Sequence, residues 1–175
     1  MIKELPSSTT PLHCNWIPNK KVDILWRLLH RALPLGYRLR KMISTESGNC
    51  IWCEGELQTI HHFILECPIS QQVWNMGYHM LSNTSNISIP TTINDIIFPT
   101  QILPISVKRA VKWLNINIVY EIWCLYTSSK WGNNIINNFN ITTLVTHQLN
   151  RELNVLKQIP HAVNKGLISA LKFLR

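Results

Sequence analysis

The sequence predicts a mostly α-helical fold in two helical parts, and three observations lead there. Apolar residues recur at steps of three and four in the first and last thirds of the chain. Strand-like alternation is scarce. Between the helical parts, residues 82–104 are rich in Ser, Thr, Asn and Pro, which reads as a linker. A chain of 175 residues with 46% apolar and 15% charged residues can bury one sizeable core, so general disorder is excluded. No apolar run is long enough to span a bilayer. The opening Met1-Ile2-Lys3-Glu4-Leu5-Pro6 lacks the apolar stretch of a secretion signal. An intracellular, reducing setting, nucleus or cytoplasm, is expected, where cysteines act as ligands or buried thiols before they act as disulfides.

Each element has its own signal. After an N-terminal tail (1–15), Asn19 is a candidate cap for a helix from Lys20. In it Val22, Leu25, Trp26, Leu29, Ala32 and Leu33 make an apolar stripe until Pro34 stops it. A short helix over about 36–43 follows, then a polar loop over 44–49 and a glycine-containing turn from Cys50 to Glu56. Thr59 suits the cap of a helix through Glu66, and Pro68 suits the first turn of another running to about Leu81. Beyond the linker, Val107, Val111, Leu114, Ile118, Ile122 and Leu125 mark a helix buried on more than one side. Thr142 or Thr143 to Ile159 is a further helix, and 162–174 a basic amphipathic one. The domains read as 16–81 and 105–175.

Composition removes several kinds of chemistry. Two aspartates and seven scattered glutamates leave no clustered carboxylates for a two-metal nuclease or polymerase. No glycine opens a phosphate-cradling loop. No small-molecule substrate is indicated. One constellation remains: Cys50-x2-Cys53-x8-His62-x4-Cys67, four ligands of the type zinc takes in a tetrahedron. The short CxxC loop turns two sulfurs to one side, and Gly55 lets the chain swing back. Three thiolates and an imidazole leave no open position, so the site is structural and the protein is not expected to be an enzyme. His61 competes with His62 on helix phase. Cys14 and Cys124 should stay free.

Charge is laid out in blocks. Residues 1–41 carry a net +6, residues 42–107 contain no Lys or Arg and carry −5, and residues 108–175 carry +7. Any grip on phosphate therefore falls to the flanks, with Lys20, Lys21, Arg27, Arg31, Arg38, Arg40 and Lys41 as candidates and Trp52 as an exposed stacking residue.

The run from Trp16 to Pro34 resembles the opening of the reverse transcriptase zinc-binding domain of non-LTR (LINE-type) retrotransposons. Tyr37-Arg38-Leu39-Arg40-Lys41, Cys50-Ile51-Trp52-Cys53, Gln58-Thr59-Ile60-His61-His62, Cys67-Pro68 and Val73-Trp74 continue the pattern in order. Leu35-Gly36 and Gln58 depart from it, where the family has Thr after Leu-Pro and an acidic residue before Thr59. Glu121-Ile122-Trp123 resembles, more loosely, a helix that follows this domain. The resemblance selects His62 as the ligand. It implies a zinc-binding, non-catalytic module that holds RNA or DNA beside a reverse transcriptase, with the chain a free-standing fragment or remnant. A structural, protein-docking zinc module is the alternative.

Overall fold

The computed structural model describes residues 17–53, 55–81, 87–99, 103–132, 138–158, 168 and 170–171. The tail, Cys14 and all but three residues of the expected 162–174 helix lie outside them. The elements are α1 (Asn19–Leu29), α2 (Gly36–Leu39), a π-helical turn (His62–Glu66), α3 (Pro68–Tyr78), α4 (Ile93–Ile97), α5 (Ile105–Trp131) and α6 (Asn138–Gln158). No strand forms among the described residues, and the turn from Cys50 to Glu56 is closed by one antiparallel bridge between Asn49 and Leu57. The mostly α class holds.

Helix α5 is the axis, with α1, α3, α4 and α6 packed against it. Thirteen of its residues are buried, from Ala110 round to Tyr126, so the expectation of burial on several sides holds. The buried side chains form one cluster running from Ile17 to Leu171. The segment expected as a linker takes part in it. There Thr92 and Asp95 form a reciprocal capping box that starts α4, and Ile96 and Ile97 are buried. Asn115 of α5 accepts from Tyr78 Oη (2.9 Å) and donates to the Ile96 carbonyl (3.0 Å), tying α3, α5 and α4 together.

The buried face of α1 differs from the one the sequence suggests. Lys21, Ile24, Leu25 and Leu28 are its buried residues, at i, i+3, i+4 and i+7, one face of a helix. Trp26, about 160° round the helix from Leu28, is 44% exposed. Lys21, 2% exposed, reaches into the core, where Nζ meets Glu152 of α6 at 2.7 Å and Asn117 of α5 at 2.5 Å. The buried Glu121 adds a second carboxylate near it. Desolvation pushes Glu121 up to about 7 despite the Lys21 charge, and lowers Lys21 despite its bond to Glu152.

Both ends of α1 also differ from expectation. Asn19 is inside the helix, Pro18 holds the cap position, and no side chain caps it. At the other end Ala32 N donates to the Arg27 carbonyl (2.7 Å) and Arg31 N to that of Leu28 (3.1 Å), the paired bonds of a Schellman stop. Arg31 takes the left-handed position of that motif, φ 52°, which glycine usually fills.

Candidate metal centre

The knuckle is held by backbone bonds on either side of the two cysteines. Cys50 N donates to the Glu56 carbonyl at 2.7 Å and Gln58 N to that of Gly48 at 3.0 Å. Gly55, at φ 81° in open space, makes the expected reversal. Gly36 is needed for a different reason: a Cβ there would lie 2.7 Å from the Gly48 carbonyl oxygen. Its N–H donates to the Oε1 of buried Gln58 (2.8 Å). The two departures noted at Gly36 and Gln58 thus meet, starting α2 against the knuckle.

Thr59 does cap the next turn, its Oγ1 accepting from His62 N at 3.0 Å. An ordinary α-helix would set residues five apart about 140° round the axis from each other. Here Cys67 N bonds to the His62 carbonyl at 2.7 Å, the wider i to i+5 pattern, which brings His62 and Cys67 to one side. Pro68 then opens α3 at its first position.

The ligand atoms of Cys50, Cys53, His62 and Cys67 all lie within 4.8 Å of one another. The Cys67 sulfur is 4.0 Å from that of Cys50 and 3.6 Å from that of Cys53. A tetrahedral zinc with bonds of 2.3 Å separates its sulfurs by about 3.8 Å. His62 Nε2 is buried with no hydrogen-bond partner, a cost that a metal bond removes. These four residues are positioned to hold a zinc ion, which would supply a structural cross-link. Cys67 is held below the ordinary thiol pKa by the Cys50 hydrogen bond and by backbone N–H groups of Ser70 and Ile69. The Cys50 and Cys53 thiols are pushed up, Cys50 first by its bond to Cys67 and Cys53 by burial.

His61 points away, exposed, with Nδ1 3.0 Å from Glu66. His62→Ala is therefore expected to lose bound zinc, while His61→Ala keeps it. Metal content of the purified variants decides this, and the reverse outcome would move the ligand to His61.

Trp52 is not the exposed stacking residue expected. Its ring stacks on Phe63 (centroids 5.9 Å apart) and meets the edge of Tyr126 (6.1 Å), and Nε1 donates to Ser129 Oγ at 3.4 Å. Lys130 pairs with Glu46 at 2.5 Å, so the end of α5 braces the metal loop. Cys124 is free and half-buried on α5.

Among the expected phosphate ligands, Lys21 is corrected: its ammonium is inside the core and paired with Glu152. Lys20, Arg27, Arg31, Arg38, Arg40 and Lys41 are exposed. Lys20 lies 5.2 Å from the Tyr120 ring centroid. Arg27 pairs with Asp23 at 2.9 Å, and Arg38 Nη1 donates to the Arg31 carbonyl at 2.7 Å. Sequence reasoning missed that Trp26 shares this outward face with His30. None of the described helices is long and apolar enough to cross a membrane.

Comparison with curated proteins and with solved structures finds no match to the chain. Residues 4–74 match the family described as zinc-binding in reverse transcriptase, and all four ligands fall inside that span. Over residues 4–74 the chain is therefore similar to the zinc-binding domain found in reverse transcriptases.

Proposed function

We propose that this protein is a non-catalytic nucleic-acid-binding module of LINE-type ancestry that works beside a reverse transcriptase. One observation carries the reading: six of the seven basic residues of α1, α2 and their flanks stay exposed on adjoining surfaces while residues 42–107 hold no Lys or Arg. Three thiolates against a divalent ion leave the metal site about one unit negative, and Glu56 and Glu66 beside it are exposed. That lobe repels phosphate. The metal instead acts at a distance, fixing the knuckle that α2 leans on through Gly36 and Gln58.

Titration of labelled RNA and DNA at several salt concentrations tests this. Each neutralised phosphate contributes about 0.7 to 0.9 to the slope of log affinity against log salt. Arg27→Gln/Arg31→Gln is expected to weaken binding and flatten the slope by about one to two. Absence of salt-dependent binding by the unaltered protein would replace this reading with a protein-docking one.

A further inference from the structure

We propose that Trp26 and His30 form a stacking platform for an unpaired nucleobase, which makes single-stranded nucleic acid the ligand of the α1 face. This rests on the nucleic-acid reading above.

Trp26 and His30 stand one helical turn apart, ring centroids 4.2 Å from each other and planes tilted by 35°. Both are exposed. Among the described residues, the other tryptophans have different work. Trp74 and Trp113 are buried, while Trp52, Trp123 and Trp131 contact one another's neighbours around Tyr126. The Trp26 ring joins none of these groups and meets the His30 ring.

Its surroundings say what would cover it. At 100° per residue, Asp23, Trp26, Arg27 and His30 share the side of α1 away from Leu25 and Leu28, with Lys20 on its flank over Tyr120, and Arg31 follows directly. The Asp23 carboxylate engages Arg27 Nε, one turn apart on the same side of the helix as the rings. An apolar protein partner would have to desolvate these charges, whereas a nucleic acid strand places phosphates on them and a base on the rings. Bases in a duplex are already stacked and paired, so the platform selects an unpaired strand. Such stacking tolerates any base, since every base has a π-face.

The test compares the zinc-loaded full chain and its variants by fluorescence anisotropy. The probes are a labelled single strand as RNA and as DNA, the same strand with abasic positions, and a duplex. Trp26→Ala should lower affinity for the intact strand about 5- to 150-fold, the range for one stacked base. It should leave the salt slope unchanged and make no difference on abasic or duplex probes. Trp26→Phe should recover most of the loss. Since Trp26 is exposed, zinc content and helicity should match the unaltered protein. Equal loss on intact and abasic strands, or no loss at all while Arg27→Gln/Arg31→Gln still flattens the slope, overturns the platform and leaves the nucleic-acid reading standing. No salt-dependent binding of any probe by the unaltered chain overturns both.

Discussion

Stripping zinc from the folded protein with a strong chelator is expected to unfold the N-terminal helices together with the knuckle. Metal binding contributes about 10–16 kcal/mol in small zinc modules, as large as the entire 5–15 kcal/mol net stability typical of a domain. Without the ion, His62 Nε2 remains buried and unpartnered. The three thiols are then joined only by weak hydrogen bonds through the Cys67 sulfur. The damage spreads because the knuckle is part of the main core. Phe63 is fully buried, its ring meets Tyr126 of α5 at 5.1 Å, and Trp52 lies against both. Circular dichroism during heating, with and without chelator, measures the effect. Cys53→Ser/Cys67→Ser should melt like the stripped protein and ignore added zinc. Identical melting of loaded and stripped protein would show that the four residues are only buried thiols and an imidazole.

The second large effect is at Lys21. Replacing it with Met is expected to cost about 3–5 kcal/mol, the usual result of removing one partner from a buried ion pair. Glu152 and Glu121 would then lose the buried cation they share, leaving the exposed Arg151 beside Glu152. The loss should depend on pH, and the sign follows from Glu121. Its folded pKa is raised from 4.5 to about 7, so the folded state holds this proton more tightly than the unfolded chain does. Its contribution to stability is therefore complete below about pH 4.5 and is lost as pH rises to about 7, with a slope of at most about 1.4 kcal/mol per unit. Lys21→Met should accordingly be most damaging above pH 7 and milder near pH 5, where Glu121 is neutral. Urea unfolding at the two pH values checks this. Equal stability of variant and parent at pH 8 would mean that the pair is dispensable.

What could be read from the chain alone was what depends on near neighbours. The four zinc ligands lie between positions 50 and 67, so short-range spacing determines their chemistry. The helices announce themselves through periodicity, and Thr59, Gly55 and Pro68 act locally where expected. Lys21 and Trp26 read the wrong way round because residues about a hundred positions away decide which side of α1 is inside. A lysine at a core position reads as solvent-facing until Asn117 and Glu152 are seen to receive it. The same holds for Trp52, whose covers, Tyr126 and Ser129, come from α5. Helix α6 begins four residues before the earlier of the two expected starts. Helix α4 was missed inside the expected linker, because its capping signal Thr92-x-x-Asp95 is hidden by the Ser, Thr and Pro around it.

The bracing of the knuckle by α5 also bears on the order in which the protein can assemble. Ser129 and Lys130 reach back 77 and 84 positions to Trp52 and Glu46. A ribosome adding about 5–20 residues per second takes roughly 3–13 s to travel from Cys67 to Trp131. Throughout that interval all four metal ligands exist while the helix that shelters Trp52 and Phe63 does not. Zinc captured then would clasp a nascent chain whose apolar side is still open. The Glu152 that receives Lys21 is made later still, so α1 would be the last of the early helices to settle into place.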